Sequence, residues 1–330
     1  FVELVINDKY FGEKKPQIPR IIYKVTEDAT QTEELIAGEI DMVAGEIDPD
    51  KLETAKESGM IDFYQYPRAG YGYMKFNCQE APTNDKLVRK AILYAFNRKG
   101  FVDTFFKGLA KTQDVSLPQV SWAYTKELQE KLISYDYNPE KAGELLDQAG
   151  WLMGDDGFRY KDGEKLTIQW ITIADMEMYE MIAGLFSENC KQAGIDLQVS
   201  MMDFNSLITK AYDEREGFNM YSMAVNYYTP DPSDQYASWH SKFDIAGGEN
   251  TAQFRNELND KLLEEGRREF DPEKAKKIYE EWAINFNEEI PLIVVYANLY
   301  SDMLNNRVKG YQPSAIYNWS HDIVNMYIEN

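Results

Sequence analysis

The sequence predicts an α/β protein with more than one folded unit. Segments with strand-like alternation of apolar residues are followed by segments with helical spacing, and this order is typical of α/β folds. The chain has 330 residues, which is long enough for two domains of ordinary size. Its hydrophobic fraction of 44% indicates that a core can form. Because the alternation falls into two blocks, we expect two units.

The first block covers residues 1–76. Alternating apolar residues predict strands at 2–6, 20–25, 40–43 and 61–66. Helical spacing predicts a helix at 30–37, which Gly38 ends. Asp48-Pro49 has the form of an N-cap with proline at the first helical position, and Gly59 closes that second helix.

The second block covers residues 77–288 and has the same alternation. Asn138-Pro139 repeats the capping pattern, and glycines mark the turns of a hairpin at 154–163. The apolar spacing predicts strands at 166–173, 195–201 and 218–225, and helices at 83–96, 99–107, 139–149, 176–193, 206–213, 251–266 and 272–287. A buried strand at 290–296 and a mixed tail follow, and residues 289–330 are expected to return to the first block.

The most informative segment is the aromatic strand Tyr71–Asn77 together with the helix at 83–96. The helix has one apolar face, formed by Val88, Ala91, Ile92, Ala95 and Phe96. This order resembles the extracellular solute-binding proteins of peptide-type ABC importers, solute-binding family 5. Further blocks match that family in its own order: 28–42, 86–92 with Asn97-Arg98, 137–151, 225–232 and 290–296.

The resemblance implies a fold like that of type II periplasmic binding proteins, with two lobes around a cleft. Residues 1–76 and 289–330 would form part of lobe one, and residues 77–288 would form lobe two. The family's chains are usually longer, so we expect this chain to be a C-terminal two-thirds fragment. Its first residues also read as a strand already inside a domain, without an initiator methionine or a signal peptide.

The resemblance also implies the function. A protein of this family captures a peptide or peptide-like solute in the cleft and delivers it to the permease subunits of the importer, without chemistry. We therefore expect no enzymatic activity, a monomer, and an extracytoplasmic location, either periplasmic or lipid-anchored at the cell surface.

Candidate solute contacts come from positions that match the family. Tyr71 and Tyr73 lie two residues apart on the crossing strand, so they share a face. Ser222, Asn226 and Tyr228 alternate before the turn at Asp231-Pro232, and Asp231 itself is a further candidate. The remaining candidates are a cleft aromatic and tryptophans in neighbouring loops: Phe204, Trp122 and Trp239. For several of these positions, packing in a core or on the surface is an equally open interpretation.

One departure from the family affects the solute. In peptide-binding relatives an aspartate at a position similar to Tyr228 pairs with the α-ammonium of the ligand. A buried ion pair of this kind selects a free amino terminus. Because this chain has tyrosine there, an oligosaccharide or another non-peptide solute is the alternative.

Charge and composition restrict the other classes of function. With 35 basic and 56 acidic residues the net charge is −21, which disfavours nucleic acid as a partner. The two histidines have no zinc-site spacing, and no cofactor motif is found. A two-carboxylate glycoside hydrolase stays open as an alternative, because 56 acidic residues can provide any spacing of two carboxylates.

An interaction module that uses the acidic helices at 251–287 is a third class of function. The pairing of Cys78 and Cys190 is not determined by the sequence, although two buried free thiols are preferred.

Overall fold

The computed structural model describes residues 1–329. The strands, in chain order, are β1 (Val2–Val5), β2 (Arg20–Tyr23), β3 (Met42–Glu46), β4 (Ile61–Pro67), β5 (Gly70–Phe76), β6 (Ala110–Lys111), β7 (Leu152–Met153), β8 (Arg159–Lys161), β9 (Glu164–Lys165), β10 (Thr167–Ile173), β11 (Asp196–Met202), β12 (Met220–Asn226), β13 (Leu292–Asn305), β14 (Val308–Lys309) and β15 (Tyr327–Ile328).

The α-helices lie between these strands. They are α1 (Gln31–Ile36), α2 (Pro49–Glu57), α3 (Lys86–Ala95), α4 (Arg98–Phe106), α5 (Lys126–Lys131), α6 (Pro139–Gln148), α7 (Glu177–Gln192), α8 (Phe204–Ile208), α9 (Gln235–Trp239), α10 (Glu257–Gly266) and α11 (Pro272–Glu289). A π-helix, Thr209–Glu214, continues directly from α8, and short 3₁₀ turns occur at Pro232–Asp234, Ser241–Phe243 and Trp319–Asp322.

The chain forms two compact units. Unit one contains residues 1–69, 105–109 and 298–330, and unit two contains residues 70–104 and 110–297. The lobes expected from the sequence were divided at 76/77 and 288/289. The divisions differ because β5 and the first part of β13 pair with each other, and β5 also pairs with β12. That these units correspond to the expected lobes stays a prediction.

Unit one is built on the second part of β13, which pairs antiparallel with β3 and with β4. Its core joins α1, α2 and these strands through Leu35, Val43, Leu52, Ala55, Ile61 and Met303. A second cluster contains Leu304, Val308, Tyr311 and Met326. The hairpin of β1 and β2 is largely exposed.

Unit two is built on a sheet with the strand order β11-β10-β12-β5-β13. β10 pairs in parallel with β11 on one side and with β12 on the other. β5 runs antiparallel to β12 and to the first part of β13. Trp170 of β10 and Phe96 at the end of α3 both pack on Phe186 of α7, with ring centroids 5.9 and 4.5 Å apart. The predicted apolar face of α3 is buried throughout, which confirms that part of the sequence interpretation.

The capping residues explain where several helices begin. The Asp48 side chain accepts a hydrogen bond from the Asp50 amide, and the Asn138 side chain accepts one from Lys141. Both caps have proline at the first helical position, as predicted. The prediction of a helix at 251–266 was wrong in its start, because Asn256 caps α10 through the Asn259 amide. The helices α5 and α9 were not predicted from the sequence.

Arg89 of α3 is a buried cation that joins two helices of unit two. Its guanidinium donates to the carbonyls of Glu289 and Ile290 at the end of α11, and to those of Thr83 and Asn84 before α3. Cations are favourable at a helix C-terminus because the last carbonyls there have no helical donor. Arg89 therefore fixes the end of α11 immediately before β13.

We expect the substitution Arg89→Met to lower the free energy of unfolding by about 3–5 kcal/mol, because it leaves several buried carbonyls without donors. Urea denaturation measures this change. Arg268→Met is the matched control, since that side chain is exposed, and it should change stability by less than about 0.5 kcal/mol. Equal effects of the two substitutions would contradict the role given to Arg89.

Candidate functional site

The topology of unit two brings three loops to one end of its sheet. The connection from β10 to β11 goes to one side of β10, and the next connection leads to β12 on the other side. In open α/β sheets, ligands bind outside the carboxyl ends of the strands at such a reversal of strand order. We call the loops at this end, residues 174–176, 203–204 and 227–229, the carboxyl edge.

The carboxyl edge exposes aromatic and thioether side chains. Tyr228, which follows β12, is 83% exposed, and Phe204, the first residue of α8, is 52% exposed. Met176, before α7, is also an exposed apolar residue. Large exposed apolar side chains beside polar groups are typical of ligand-binding surfaces.

Three carboxylates near this edge accept hydrogen bonds from neighbouring residues in the chain. Asp203 accepts from the amides of Asn205 and Ser206 and thereby caps α8. Asp231 caps the 3₁₀ turn through the Ser233 amide, and Asp234 accepts from the Thr229 hydroxyl. The expected solute contact Asp231 therefore has a structural role in the turn after β12, with its side chain exposed.

Behind the edge, a buried hydrogen-bond network connects β5 with the elements after β12. The Tyr71 hydroxyl lies 2.6 Å from Ser116 Oγ and 2.9 Å from the Tyr227 hydroxyl. Ser116 Oγ in turn lies 2.9 Å from Gln235 Oε1 and 3.0 Å from Trp239 Nε1. We call these five residues the tyrosine network. Tyr71 is only 1% exposed, and burial raises its pKa well above the ordinary value for tyrosine.

The chemistry of the donors sets the direction of these hydrogen bonds. An indole nitrogen only donates, so Gln235 presents its carbonyl oxygen to Trp239 at 3.0 Å. Ser116 donates its proton to the same Gln235 oxygen and therefore accepts from Tyr71. Tyr71 in turn accepts from Tyr227. The network thus runs in one direction from Tyr227, at the carboxyl edge, to Gln235.

A buried lysine lies on the same face of β5 as Tyr71 and Tyr73. Lys75 is 5% exposed, and its ammonium donates to Thr251 Oγ1 at 3.0 Å. The nitrogen lies 4.8, 5.3 and 6.0 Å from the ring centroids of Trp239, Tyr73 and Tyr221. We call Tyr73, Tyr221, Trp239 and Thr251 the lysine cage. Burial lowers the pKa of Lys75 to about 8, against the weaker raising effect of the Glu249 carboxylate.

The register separates Ser222 from the tyrosines. Ser222 pairs with Met74, whereas Tyr71 and Tyr73 pair with Val225 and Met223. Because side chains alternate along a strand, Ser222 lies on the opposite face of the sheet. There it accepts a hydrogen bond of 2.7 Å from Trp170 Nε1 in the core.

The predicted site residues therefore fall into three groups. Tyr71, Tyr73 and Trp239 are packed together in the core of unit two, and Ser222 is buried on the other face. The exposed candidates are Phe204, Asn226, Tyr228 and Asp231. Trp122 is 40% exposed, and its amide donates to the Pro230 carbonyl at 3.3 Å. Direct contact of any of them with a solute stays a prediction.

The sequence interpretation missed Lys75, Ser116, Tyr227 and Gln235. The alternation of Tyr71, Tyr73 and Lys75 was a usable signal, since it places the lysine on the tyrosine face. The other three come from a loop, a strand end and an unpredicted helix, and no local pattern connects them.

Among residues 1–329, no group of three or more histidine, cysteine or acidic side chains could hold a metal ion. Cys78 and Cys190 are both free and buried, and burial raises the pKa of each thiol. Within the same range, none of the helices has the length and apolar character needed to cross a bilayer.

The strand order of unit two agrees with the fold of type II periplasmic binding proteins. The chain belongs to the bacterial extracellular solute-binding proteins, family 5, whose model (described as family 5 Middle) matches residues 1–247. Both the recognised family and the predicted fold class are thereby confirmed.

Individual relatives agree with this assignment. The oligopeptide-binding protein AppA of Bacillus subtilis (strain 168) is 26% identical over 329 residues. A solved structure of AppA in complex with a nonapeptide superposes with a TM-score of 0.88 at 24% identity, covering 99% of this chain and 64% of that one. NikZ from Campylobacter jejuni in complex with Ni(L-His) gives 0.86 at 21% identity, covering 98% and 64%.

The chain spans only part of its relatives. The match to the Bacillus subtilis protein covers 99% of this chain and 58% of that protein. The likeness to NikZ, at 21% identity, supports the fold.

The lowered pKa of Lys75 leads to a prediction about stability. Between about pH 8 and the ordinary lysine pKa of 10.5 the unfolded chain binds a proton that the folded chain has lost, so stability should rise with pH. Between about pH 8 and 9.5 the increase is about 2 kcal/mol. Below pH 8 the buried charge lowers stability, so Lys75→Met should raise the free energy of unfolding at pH 7.

Urea denaturation of the wild type and of Lys75→Met at several pH values measures this effect. The contributions of the titratable groups that both proteins share cancel when their free energies of unfolding are subtracted. The difference should shrink as the pH rises. A constant difference from pH 7 to 9.5 would show that Lys75 keeps its charge throughout this range.

Proposed function

We propose that this chain is the substrate-binding component of an ABC importer. It captures a peptide or peptide-like solute outside the cytoplasm and delivers it unchanged to the permease subunits. Membership in the family 5 solute-binding proteins is the observation that carries this proposal. In this account the protein acts as a monomer that is either periplasmic or lipid-anchored at the cell surface, and the solute lies in the expected cleft between two lobes.

The carboxyl edge supports a role in holding the solute. Tyr228 and Phe204 offer exposed aromatic surfaces at the reversal of strand order in unit two. Aromatic side chains supply large contact areas at low cost in conformational entropy. Behind them the tyrosine network fixes Tyr227, and therefore the start of the loop that carries Tyr228.

A peptide is the first candidate for the solute, because AppA binds a nonapeptide in its solved structure. A non-peptide solute is the second candidate, and one observation favours it. Tyr228 lies where an aspartate would be expected to pair with the α-ammonium of a peptide. The nearby carboxylates of Asp231 and Asp234 accept hydrogen bonds within their own turn. A solute held by aromatic stacking, such as an oligosaccharide, fits such an edge, and NikZ shows that the same fold holds a metal chelate.

A thermal-shift screen tests the proposed function. The probes are a pool of synthetic tri- to nonapeptides with free termini, a set of oligosaccharides, and nickel with L-histidine. A bound solute stabilises the folded chain by RT ln(1 + [L]/Kd), so at about a hundred times Kd the gain is about 2.7 kcal/mol. Mass spectrometry of the recovered solute distinguishes a carrier from an enzyme, because a carrier returns it unchanged.

The exposed aromatics give a second prediction. We expect Tyr228→Ala and Phe204→Ala each to weaken binding of the stabilising probe by about 2 kcal/mol, or roughly thirtyfold, because each removes an aromatic contact. Neither should lower the melting temperature of the free protein by more than the control does. The matched control is Phe270→Ala, since Phe270 is 96% exposed in the loop between α10 and α11. If all three variants bound the stabilising probe with equal affinity, the carboxyl edge would not be part of the solute site.

A further inference from the structure

We propose that Lys75 is a positioning residue for the solute site: its ammonium, held in the lysine cage, orients the tyrosine network that supports the carboxyl edge. This inference rests on the proposed function for its relation to a solute. Packing of the core does not require a charged side chain at this position, and the inference assigns a role to that charge.

The first step is that Lys75 is costly where it lies. It is nearly fully buried, and no ion pair of its ammonium is found within residues 1–329. Three aromatic rings and one hydroxyl oxygen replace the water around it. A desolvated cation without a carboxylate in ion-pair contact lowers stability relative to an apolar side chain of the same length. A residue that lowers stability and serves only packing has no advantage over methionine.

The second step is that the cage shares Trp239 with the tyrosine network. The Lys75 ammonium lies over the Trp239 ring, and the indole nitrogen of that ring donates to Ser116 and Gln235. Cation–π attraction is directional, so it fixes the plane of the ring and the direction of its N–H. Ser116 then accepts from Tyr71, which in turn contacts Tyr227 at the start of the carboxyl edge.

The third step is a second connection on the other side of the cage. Burial and the Glu249 carboxylate raise the pKa of Tyr212, whereas the hydroxyls of Tyr221 and Tyr73, two of the cage residues, lower it. Tyr212 lies in the π-helix Thr209–Glu214, which continues directly from the helix that begins with Phe204. π-helices are rare and occur often at functional sites. The cage therefore includes Tyr221 of β12, which ends before Tyr228, and it interacts electrostatically with the π-helix that follows the Phe204 helix.

Protonation of Lys75 should therefore be visible in the network. Its lowered pKa, about 8, makes it neutral in mildly alkaline solution, and cation–π attraction to Trp239 is then lost. The titratable groups that face it are Tyr73 and Tyr221, whose rings lie beside the ammonium, and Glu249 and Cys78, whose charges act on its pKa.

Fluorine NMR of the 5-fluorotryptophan-labelled chain tests the positioning. The chain has six tryptophans, and the variants Trp239→Phe and Trp122→Phe assign two of the resonances. Trp239 reports the cage. Trp122 lies outside the network and reports the loop that follows the carboxyl edge, because its backbone amide donates to the Pro230 carbonyl and its ring packs on Tyr279 at 5.7 Å. In the wild type both resonances should shift with one midpoint near pH 8. In Lys75→Met neither should titrate there, and in Lys75→Arg both should stay near their positions in the protonated wild type.

The control is Lys99→Met, which removes an exposed lysine and should behave as the wild type. A titration seen at Trp239 without one at Trp122 would overturn the proposal, because Lys75 would then act only within its cage. An absence of titration at both positions would overturn it as well.

Binding of the synthetic tri- to nonapeptide pool gives the second readout. Lys75→Met should raise the free energy of unfolding at pH 7 and weaken binding about tenfold. A purely structural lysine would not give these opposite effects. Unchanged affinity would overturn the relation to a solute. If the wild type binds no peptide, the peptide form of the proposed function fails, whereas the coupled titration of the two tryptophans still decides whether Lys75 positions the network.

Discussion

The antiparallel register of β5 against β12 is the constraint on which the rest of unit two depends. Tyr71 pairs with Val225 and Tyr73 with Met223. This pairing puts Tyr71, Tyr73 and Lys75 on one face, with Ser222 on the other. A shift by one residue would move every side chain of β5 to the opposite face. The tyrosine network and the lysine cage both depend on this one alignment.

The same sheet explains why an exposed aromatic edge and a buried polar core lie next to each other. The parallel strands β10, β11 and β12 end together, and their following loops carry Phe204 and Tyr228. Directly behind, the hydroxyls of Tyr71 and Tyr227 are hydrogen-bonded to each other. Buried polar networks fix side chains in one arrangement when their members are paired. Each of the five side chains here has a hydrogen bond, although the Nε2 atom of Gln235 is buried without a partner in the described part of the chain. A site that only binds its solute benefits from side chains that are already fixed, because ordering them during binding lowers the affinity.

Local sequence signals predicted much of the architecture. The caps at Asp48 and Asn138, the apolar face of α3 and the α/β order are all found in the structure. The start of α10 was placed too early, because Asn256 caps the helix while Thr251 is buried against Lys75 and Tyr221. Its side chain is needed in the cage, and tertiary contacts of this kind have no local periodicity.

The site was less predictable than the fold. Tyr71 and Tyr73 were identified as a shared face, but burial of that face depends on α9 and on the loop at Ser116. Ser222 was grouped with Asn226 and Tyr228 by alternation. Its position on the face opposite the tyrosines depends on the pairing of β12 with β5, which is distant in sequence. A lysine two residues after a tyrosine is normally a solvent-exposed charge, so only the fold reveals that Lys75 is enclosed.

The central claim is that the chain holds a small molecule and releases it unchanged. Native mass spectrometry after incubation with the peptide pool measures this most directly, because it detects the complex and the mass of the released solute together. The account predicts a non-covalent complex of one chain with one solute, whose mass after release equals its mass before binding. Shortened peptides after release, or a chain that stays free of every solute offered, would contradict it.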